Sequence, residues 1–254
     1  MRPDGGAAVR LDDPFGFDAD AAEASAEALL ADAVRREFPG RIALVSSFGA
    51  SSIVLLHLVA RVDPGTPVLF LETGKLFPET LAYAEAVTAR LGLSDVRHLA
   101  PAPEDIALRD ADGTLFRSDV GACCAIRKVA PLERALSGLD AWITGRRRGQ
   151  TAGRAGLPVR EMDGGGRVKI NPLADWSAVE VAAYMERHEL PQHPLVGRGY
   201  PSIGCAPCTT PVAPGEDERA GRWRGSDREE CGIHFIGGRL VRMRTAAPAP
   251  MDTV

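Results

Sequence analysis

Apolar and polar positions along this chain fall into short blocks, and the blocks predict strands and helices in alternation. Ile42-Ala43-Leu44-Val45 is an unbroken apolar run of the kind that a strand covered on both faces carries. It enters a polar turn, Ser46–Ser52, and an apolar helix follows from Ile53 to about Val62. A second run, Val68–Leu71, leads into Glu72-Thr73-Gly74. Pro78 suits the first turn of the next helix and Gly92 the position just past its end. A third strand is expected over about Val96–Leu99, then a helix holding Cys123 and Cys124, then a strand Ala141–Thr144 that enters Gly145-Arg146-Arg147-Arg148. Upstream, residues 19–38 are alanine-rich and helical in pattern, ending before Pro39-Gly40. Residues 171–190 read as a final helix, with Ser177 and Glu180 as its capping box and Pro191 as its stop.

This order predicts an α/β fold, a doubly wound, mostly parallel sheet with right-handed crossovers. Ligands on such sheets bind beyond the carboxyl ends of the strands. Three polar or glycine-bearing segments sit at those ends: 46–52, 72–75 and 144–150. Their convergence points to a nucleotide-sized site. The Ser/Gly turn at 46–52 opens a helix and so offers backbone N–H groups to an anion. It lacks the lysine of a Walker loop, which argues against an ordinary ATPase. After Pro191 the chain is rich in proline and glycine and poor in periodicity. Such a segment builds no core of its own and is expected to fold over the ligand edge of the sheet as an irregular C-terminal lobe and tail. The expected organisation is a loosely ordered stretch 1–18, an α/β unit 19–211, a C-terminal segment 212–244 and a disordered tail 245–254.

Composition narrows the function classes. With 254 residues and 45% hydrophobic content, the chain has material for one substantial core and an appendage. No apolar stretch approaches the roughly 20 residues of a membrane helix, so no membrane partner is expected. A net charge of −4 argues against a surface built for nucleic acid. Any anionic substrate must be met by local basic clusters. The beginning of the chain lacks a secretory pattern, so reducing cytoplasm is the expected compartment.

The five cysteines fall in three groups: Cys123-Cys124, Cys205-Ala206-Pro207-Cys208, and Cys231 within Glu230-Cys231-Gly232-Ile233-His234. Four thiolates drawn from two distant segments suit a closed metal or cluster site, and the fifth, beside a histidine, is left for chemistry. Adjacent cysteines make a poor zinc knuckle because neighbouring side chains diverge, whereas an iron–sulfur cube takes thiolates at separated corners. Zinc, disulfides and plain buried thiols are the other readings of the same residues.

Read together, the segments Ser46–Gly49, Leu71–Thr80, Cys123–Leu132, Gly145–Gln150, Tyr200–Thr210 and Glu230–His234 resemble the assimilatory adenylyl-sulfate and phosphoadenylyl-sulfate reductase family, in its iron–sulfur branch. The resemblance spans about residues 40–235. It implies a fold like that of the adenine-nucleotide α-hydrolases and PP-loop pyrophosphatases, and a [4Fe–4S] cluster on Cys123, Cys124, Cys205 and Cys208. It also implies that Cys231 attacks the sulfur of adenylyl sulfate, leaving an S-sulfocysteine from which thioredoxin or a glutaredoxin-like dithiol releases sulfite, in sulfate assimilation toward cysteine. A homo-oligomer is compatible with it.

By the same resemblance, Lys128 couples the cluster to the anionic end of the substrate. Arg154, Arg219 and Arg222 meet sulfate or phosphate, Gly145 allows close approach of the nucleotide, and Ser46, Ser47, Leu71 and Thr73 line the adenosine pocket. On a helix, Lys128 lies one turn beyond Cys124 on the same face. His234 either assists the thiol, orients the sulfate or is structural. The run Arg146–Arg148 is a candidate contact for a 3′-phosphate, which keeps the phosphorylated substrate as an alternative. A PP-loop sulfur-transfer enzyme is the other enzyme reading, although 46–52 is not its S-G-G-x-D-S loop. A zinc-stapled binding module is the non-enzyme reading.

Overall fold

The computed structural model describes residues 19–226, 228, 230, 232 and 233. The stretches 1–18 and 245–254, together with Cys231 and His234, lie outside the described residues.

Six strands form one sheet in the order β3-β2-β1-β4-β6-β5. They are β1 (Ile42–Ser46), β2 (Val68–Phe70), β3 (Val96–His98), β4 (Ala141–Ile143), β5 (Arg160–Met162) and β6 (Val168–Ile170). All neighbours pair in parallel except β5 with β6. The unbroken apolar run of β1 is explained by cover on both faces. Ile42 and Leu44 pack into one core cluster, with Val68, Phe70, Ala141 and Ile143 from the adjoining strands. Ala43 and Val45 pack into the other, with Leu69, Leu71 and Trp142.

The helices are α1 (Ala19–Asp32), α2 (Ser52–Val62), α3 (Pro78–Leu91), α4 (Pro103–Arg109), α5 (Leu115–Ser118), α6 (Val120–Cys124), α7 (Ala130–Leu136) and α8 (Ala178–Arg187). α2 carries apolar residues on nearly every side and is buried along its length, between β1 and the α1–α8 layer. Gly92 ends α3 in the left-handed region at φ 64°, which its missing side chain allows. No helix among the described residues is long and apolar enough to cross a membrane.

Two expectations are corrected, and one element was not anticipated. The helix expected over 171–190 begins only at Ala178, because the Ser177–Glu180 capping box sets its start; residues 171–176 form the loop that leaves β6. The helix of the paired cysteines is not continuous: α6 stops at Cys124, a π-helical turn spans Ala125–Val129, and α7 follows. The hairpin β5–β6 carries no apolar run long enough to announce it, since Arg160, Glu161 and Lys169 occupy half of its six positions.

The irregular chain after α8 is tied to the sheet by Leu190 and Ile233, which join its two core clusters, and by single polar contacts. His193 is one such anchor. Its Nδ1 accepts from the Leu195 amide at 3.2 Å, which leaves the Nε2 proton for the Thr80 hydroxyl at 3.0 Å. Burial holds the ring neutral and pushes its pKa down to about 4, against a small opposing pull from Glu79. A histidine depressed in the fold favours the native state fully above its unfolded pKa of about 6.5, and that contribution is lost as pH falls through the folded value. The melting temperature is therefore expected to fall between pH 6.5 and 4, with His57, also pushed down to about 4 by burial, adding to the loss, and with a shallower acid loss in His193→Gln. Equal slopes for the two proteins in thermal scans would remove His193 from this role.

Candidate functional site

Chain order runs outward from β1 to β2 and β3 on one side and restarts at β4 on the other, so a crevice opens where β1 and β4 part. A cavity of about 660 Å³ occupies it, lined by the loops after β1 and β4, one face of α8, and the chain from Pro201 onward. The β1–α2 turn is strained: Phe48, fully buried, holds φ 47° and sits edge-on to Phe70 at 4.8 Å. Such a conformation is costly for a residue with a side chain and persists where surrounding packing enforces it. Here the aromatic anchor does so, and Ser46, Ser47 and Gly49 line the cavity as a result.

Six cationic side chains line the same space: Lys128, Arg146, Arg147, Arg154, Arg219 and Arg222. Several are spoken for by the protein. Arg146 pairs with Glu161 on β5 and donates to Asn171 Oδ1 at 3.2 Å, while burial, and then Arg154, push its pKa down to about 10. Arg148 pairs with Asp175 and is not among the cavity residues. Arg147 is buried, 3.8 Å from the Glu218 carboxylate. Arg154 is held by Glu230 and Gln150. Arg222 lies over the face of Trp223 with its guanidinium carbon 4.6 Å from the ring centre, and Arg219 lies over the same ring at 5.9 Å.

Next to this cavity lies a second, small one. Cys123, Cys124, Cys205 and Cys208 all line it, with Lys75, Phe116, Val120, Arg127, Lys128 and Pro207. None of the four forms a disulfide. Lys128 and Cys205 line both cavities and so form the wall between them. Burial pushes the Cys123 and Cys208 thiols up, and the neighbouring cysteines add to the shift against the pull of Arg127 on one and of Lys128 and Arg222 on the other. Thiols pushed up in this way become stable thiolates only against a strong positive centre. Among the described residues, no group of His, Cys, Asp or Glu is arranged to hold a single metal ion. Four thiols drawn from two distant segments around one small cavity are a donor set suited to a metal or a cluster.

A buried hub supports the cysteines. Arg127, on the π turn, donates from Nε to Asp110 at 2.9 Å and from Nη1 to the Thr73 carbonyl at 2.8 Å. Burial alone raises the Asp110 carboxyl, but the Leu115 amide and Arg127 more than offset it and hold it below the usual carboxylate range. Thr73 Oγ1 in turn lies 3.3 Å from Cys205 Sγ. Thr73, expected in the adenosine pocket, lies beside Cys205 and is not among the residues lining the large cavity. Leu71 and Gly145 do line that cavity. The sequence reading assigned no role to Arg127, Asp110, Gln150, Glu218 or Glu230. The acid that Arg127 meets lies 17 residues away on another helix end, and no local pattern links them.

The C-x-x-C turn is clamped from both sides. The Ala206 amide donates to the Lys75 carbonyl at 2.8 Å, and the Trp223 amide to the Cys208 carbonyl at 3.0 Å. Thr209 and Arg222 form a β-bridge, and the Thr210 amide donates to Gly221 at 2.8 Å, so contacts cross the domain boundary expected at 211/212. Gly204 lets the Arg222 guanidinium lie directly against this turn, where a methyl group would overlap it.

Comparison with known proteins follows the same lines. Residues 41–211 match the phosphoadenosine phosphosulfate reductase domain. The chain is 50% identical over 231 residues to an adenosine 5′-phosphosulfate reductase of Chelativorans sp. (strain BNC1), covering 91% of each protein. It is 46% identical over 213 residues to a phosphoadenosine 5′-phosphosulfate reductase of Gloeobacter violaceus, covering 82% of this chain and 88% of the relative. Among solved structures, it superposes on the phosphoadenylyl-sulfate reductase of Candida auris with TM-score 0.62 at 27% identity, over 81% of this chain and 100% of the other. A Candida glabrata FMN adenylyltransferase shares the fold alone, with TM-score 0.58 at 15% identity, over 88% and 79% of the two chains.

Gly204→Ala is expected to keep the fold, since the atom that must yield is the end of a flexible side chain, but to displace Arg222 from the cavity wall. Calorimetry with ADP as the anionic probe should show affinity falling by about three- to tenfold, roughly 0.6–1.4 kcal/mol. The same loss should appear in Arg222→Ala, with no further loss in the double variant. Additive losses would separate the two residues.

Proposed function

The chain belongs to the phosphoadenosine phosphosulfate reductase family, and from that membership we propose that it reduces adenylyl sulfate to sulfite and AMP. The observation that carries the reading is the shared wall: one cavity sized for a nucleotide meets the cysteine-lined cavity through Lys128 and Cys205. The nucleotide lies in the crevice between the β1 and β4 loops, with its sulfate toward Lys128, Arg219 and Arg222. In the first step, the Cys231 thiolate bonds to the sulfate sulfur and the sulfur–oxygen bond to the nucleotide breaks. The electron pair leaves on the phosphate of AMP, and the enzyme holds an S-sulfocysteine. In the second, one thiol of a thioredoxin or glutaredoxin-like partner attacks the Cys231 sulfur and expels sulfite. Its second thiol then resolves the mixed disulfide, so the partner is oxidised by two electrons as the sulfur is reduced by two. A free thiol with pKa near about 8.5 is only slightly ionised at neutral pH, and the cations of the cavity favour the reactive thiolate.

Cys123, Cys124, Cys205 and Cys208 would hold a [4Fe–4S] cluster, which when bound supplies polarisable anionic charge beside Lys128. The substrate without a 3′-phosphate is preferred in this reading because the basic run offers little to a further dianion: Arg146 and Arg148 are each engaged by a carboxylate. Reduction of the 3′-phosphorylated form is the second reading, supported by the Gloeobacter violaceus relative named for it.

Anaerobically purified protein is expected to be brown and to contain iron, with Cys205→Ser bleached and less stable, since cluster binding and local folding are linked. Zinc without iron in metal analysis ends the cluster proposal. Cys231→Ser is expected to keep the colour and bind substrate while releasing no sulfite, and wild type without reductant should carry the sulfite mass on the Cys231 peptide. In parallel assays with thioredoxin, kcat/KM should be higher for adenylyl sulfate. A preference of about tenfold for the 3′-phosphorylated form, about 1.4 kcal/mol, would reverse the substrate assignment.

A further inference from the structure

One contact ties two remote segments together across the nucleotide cavity. Arg154, on the loop after β4, donates from Nη2 to Glu230 Oε2 at 2.8 Å and from Nε to the other carboxylate oxygen, a two-pronged charge-assisted pair. The third guanidinium nitrogen donates to Gln150 Oε1. Arg154 is buried, and both residues line the cavity. Arg228 Nε secures the same point of the chain by donating to the Glu230 backbone carbonyl at 2.7 Å. Three residues beyond Glu230, Ile233 is buried in the core cluster of Leu132, Leu136 and Trp142. A polar anchor and an apolar anchor thus stand one residue before and two residues after Cys231 in the chain.

We propose that the Arg154–Glu230 pair is a clasp that sets the Cys231 segment against the cavity, making both partners positioning residues for sulfur transfer. The proposal rests on the reading of Cys231 as nucleophile. One buried isoleucine does not by itself offset the entropy of holding a chain segment in place, and the ion pair supplies the rest. Three of the five Arg154 N–H groups are engaged, so an anion in the cavity would share this guanidinium with Glu230. Removing the carboxylate leaves a buried cation without its partner, an arrangement the protein relieves by releasing the segment.

The test uses full-length, cluster-loaded enzyme in four forms: wild type, Glu230→Ala, Arg154→Ala, and the charge swap Glu230→Arg with Arg154→Glu. Three quantities are read. They are the dissociation constant of adenylyl sulfate in a Cys231→Ser background, the single-turnover rate of adduct formation on the Cys231 peptide, and the rate of Cys231 alkylation by iodoacetamide without substrate. The clasp predicts that Glu230→Ala leaves affinity within about twofold, slows the adduct step by about tenfold or more, and speeds alkylation by a similar factor. The swap should recover much of both rates. Two results would overturn it: tighter substrate binding in Glu230→Ala, which makes Glu230 a competitor for an anion-binding Arg154, or alkylation unchanged in both single variants. A wild type that forms no adduct on Cys231 refutes the nucleophile assignment, while the alkylation rates still decide the clasp.

Discussion

Parallel pairing of β1 with β4 is the constraint on which the rest of the site depends. Strands added on either side of that pair send their crossovers in opposite senses, so the chain leaves an unfilled crevice at the strand ends between them. Every other functional segment is placed relative to it. The β1–α2 turn, locked by buried Phe48, forms one lip, and Gly145–Gln150 forms the other. The strands β2, β1 and β4 at the centre of the sheet are covered on both faces, which is why they carry almost no polar residue.

Charge is the second organising feature. Cations outnumber the acids that line the cavity, and in a partly dry space each uncompensated charge is expensive. The protein handles this by giving Arg146, Arg147 and Arg154 fixed carboxylate neighbours and by laying Arg219 and Arg222 on Trp223. The two groups differ in function. The first is committed to holding loops and the tail, and the second lies on an aromatic face along the cavity wall.

Among the described residues, those after α8 form no separate core cluster, and their order is borrowed from the sheet. It hangs on the Lys75 carbonyl, the Cys208–Trp223 and Thr210–Gly221 backbone bonds and the burial of Ile233. A group bound by Cys205 and Cys208 from this side and by Cys123 and Cys124 from the other would join the lobe to the α6–α7 region directly. The Arg127–Asp110–Thr73 hub stands behind that junction and fixes the helix end from which the paired cysteines project.

By itself the sequence determined what depends on local pattern and residue chemistry. The apolar runs of β1, β2 and β4 announced strands because both of their faces are buried. Pro78 and Gly92 bounded α3 because their backbone limits act within one turn. The grouping of the cysteines anticipated that Cys123, Cys124, Cys205 and Cys208 meet at one cavity, because few residue types serve a shared donor site. Tertiary structure alone decided whatever depends on a partner far along the chain. The β5–β6 hairpin is held by pairing with β4 rather than by its own short, charged strands. Thr73 went to the cysteine side because Arg127 and Cys205 claim it. Arg154 could be read as a cation from its type, but that it spends its charge on Glu230, 76 residues away, is a matter of which surfaces the fold brings together. Covalent neighbours carry no record of such meetings.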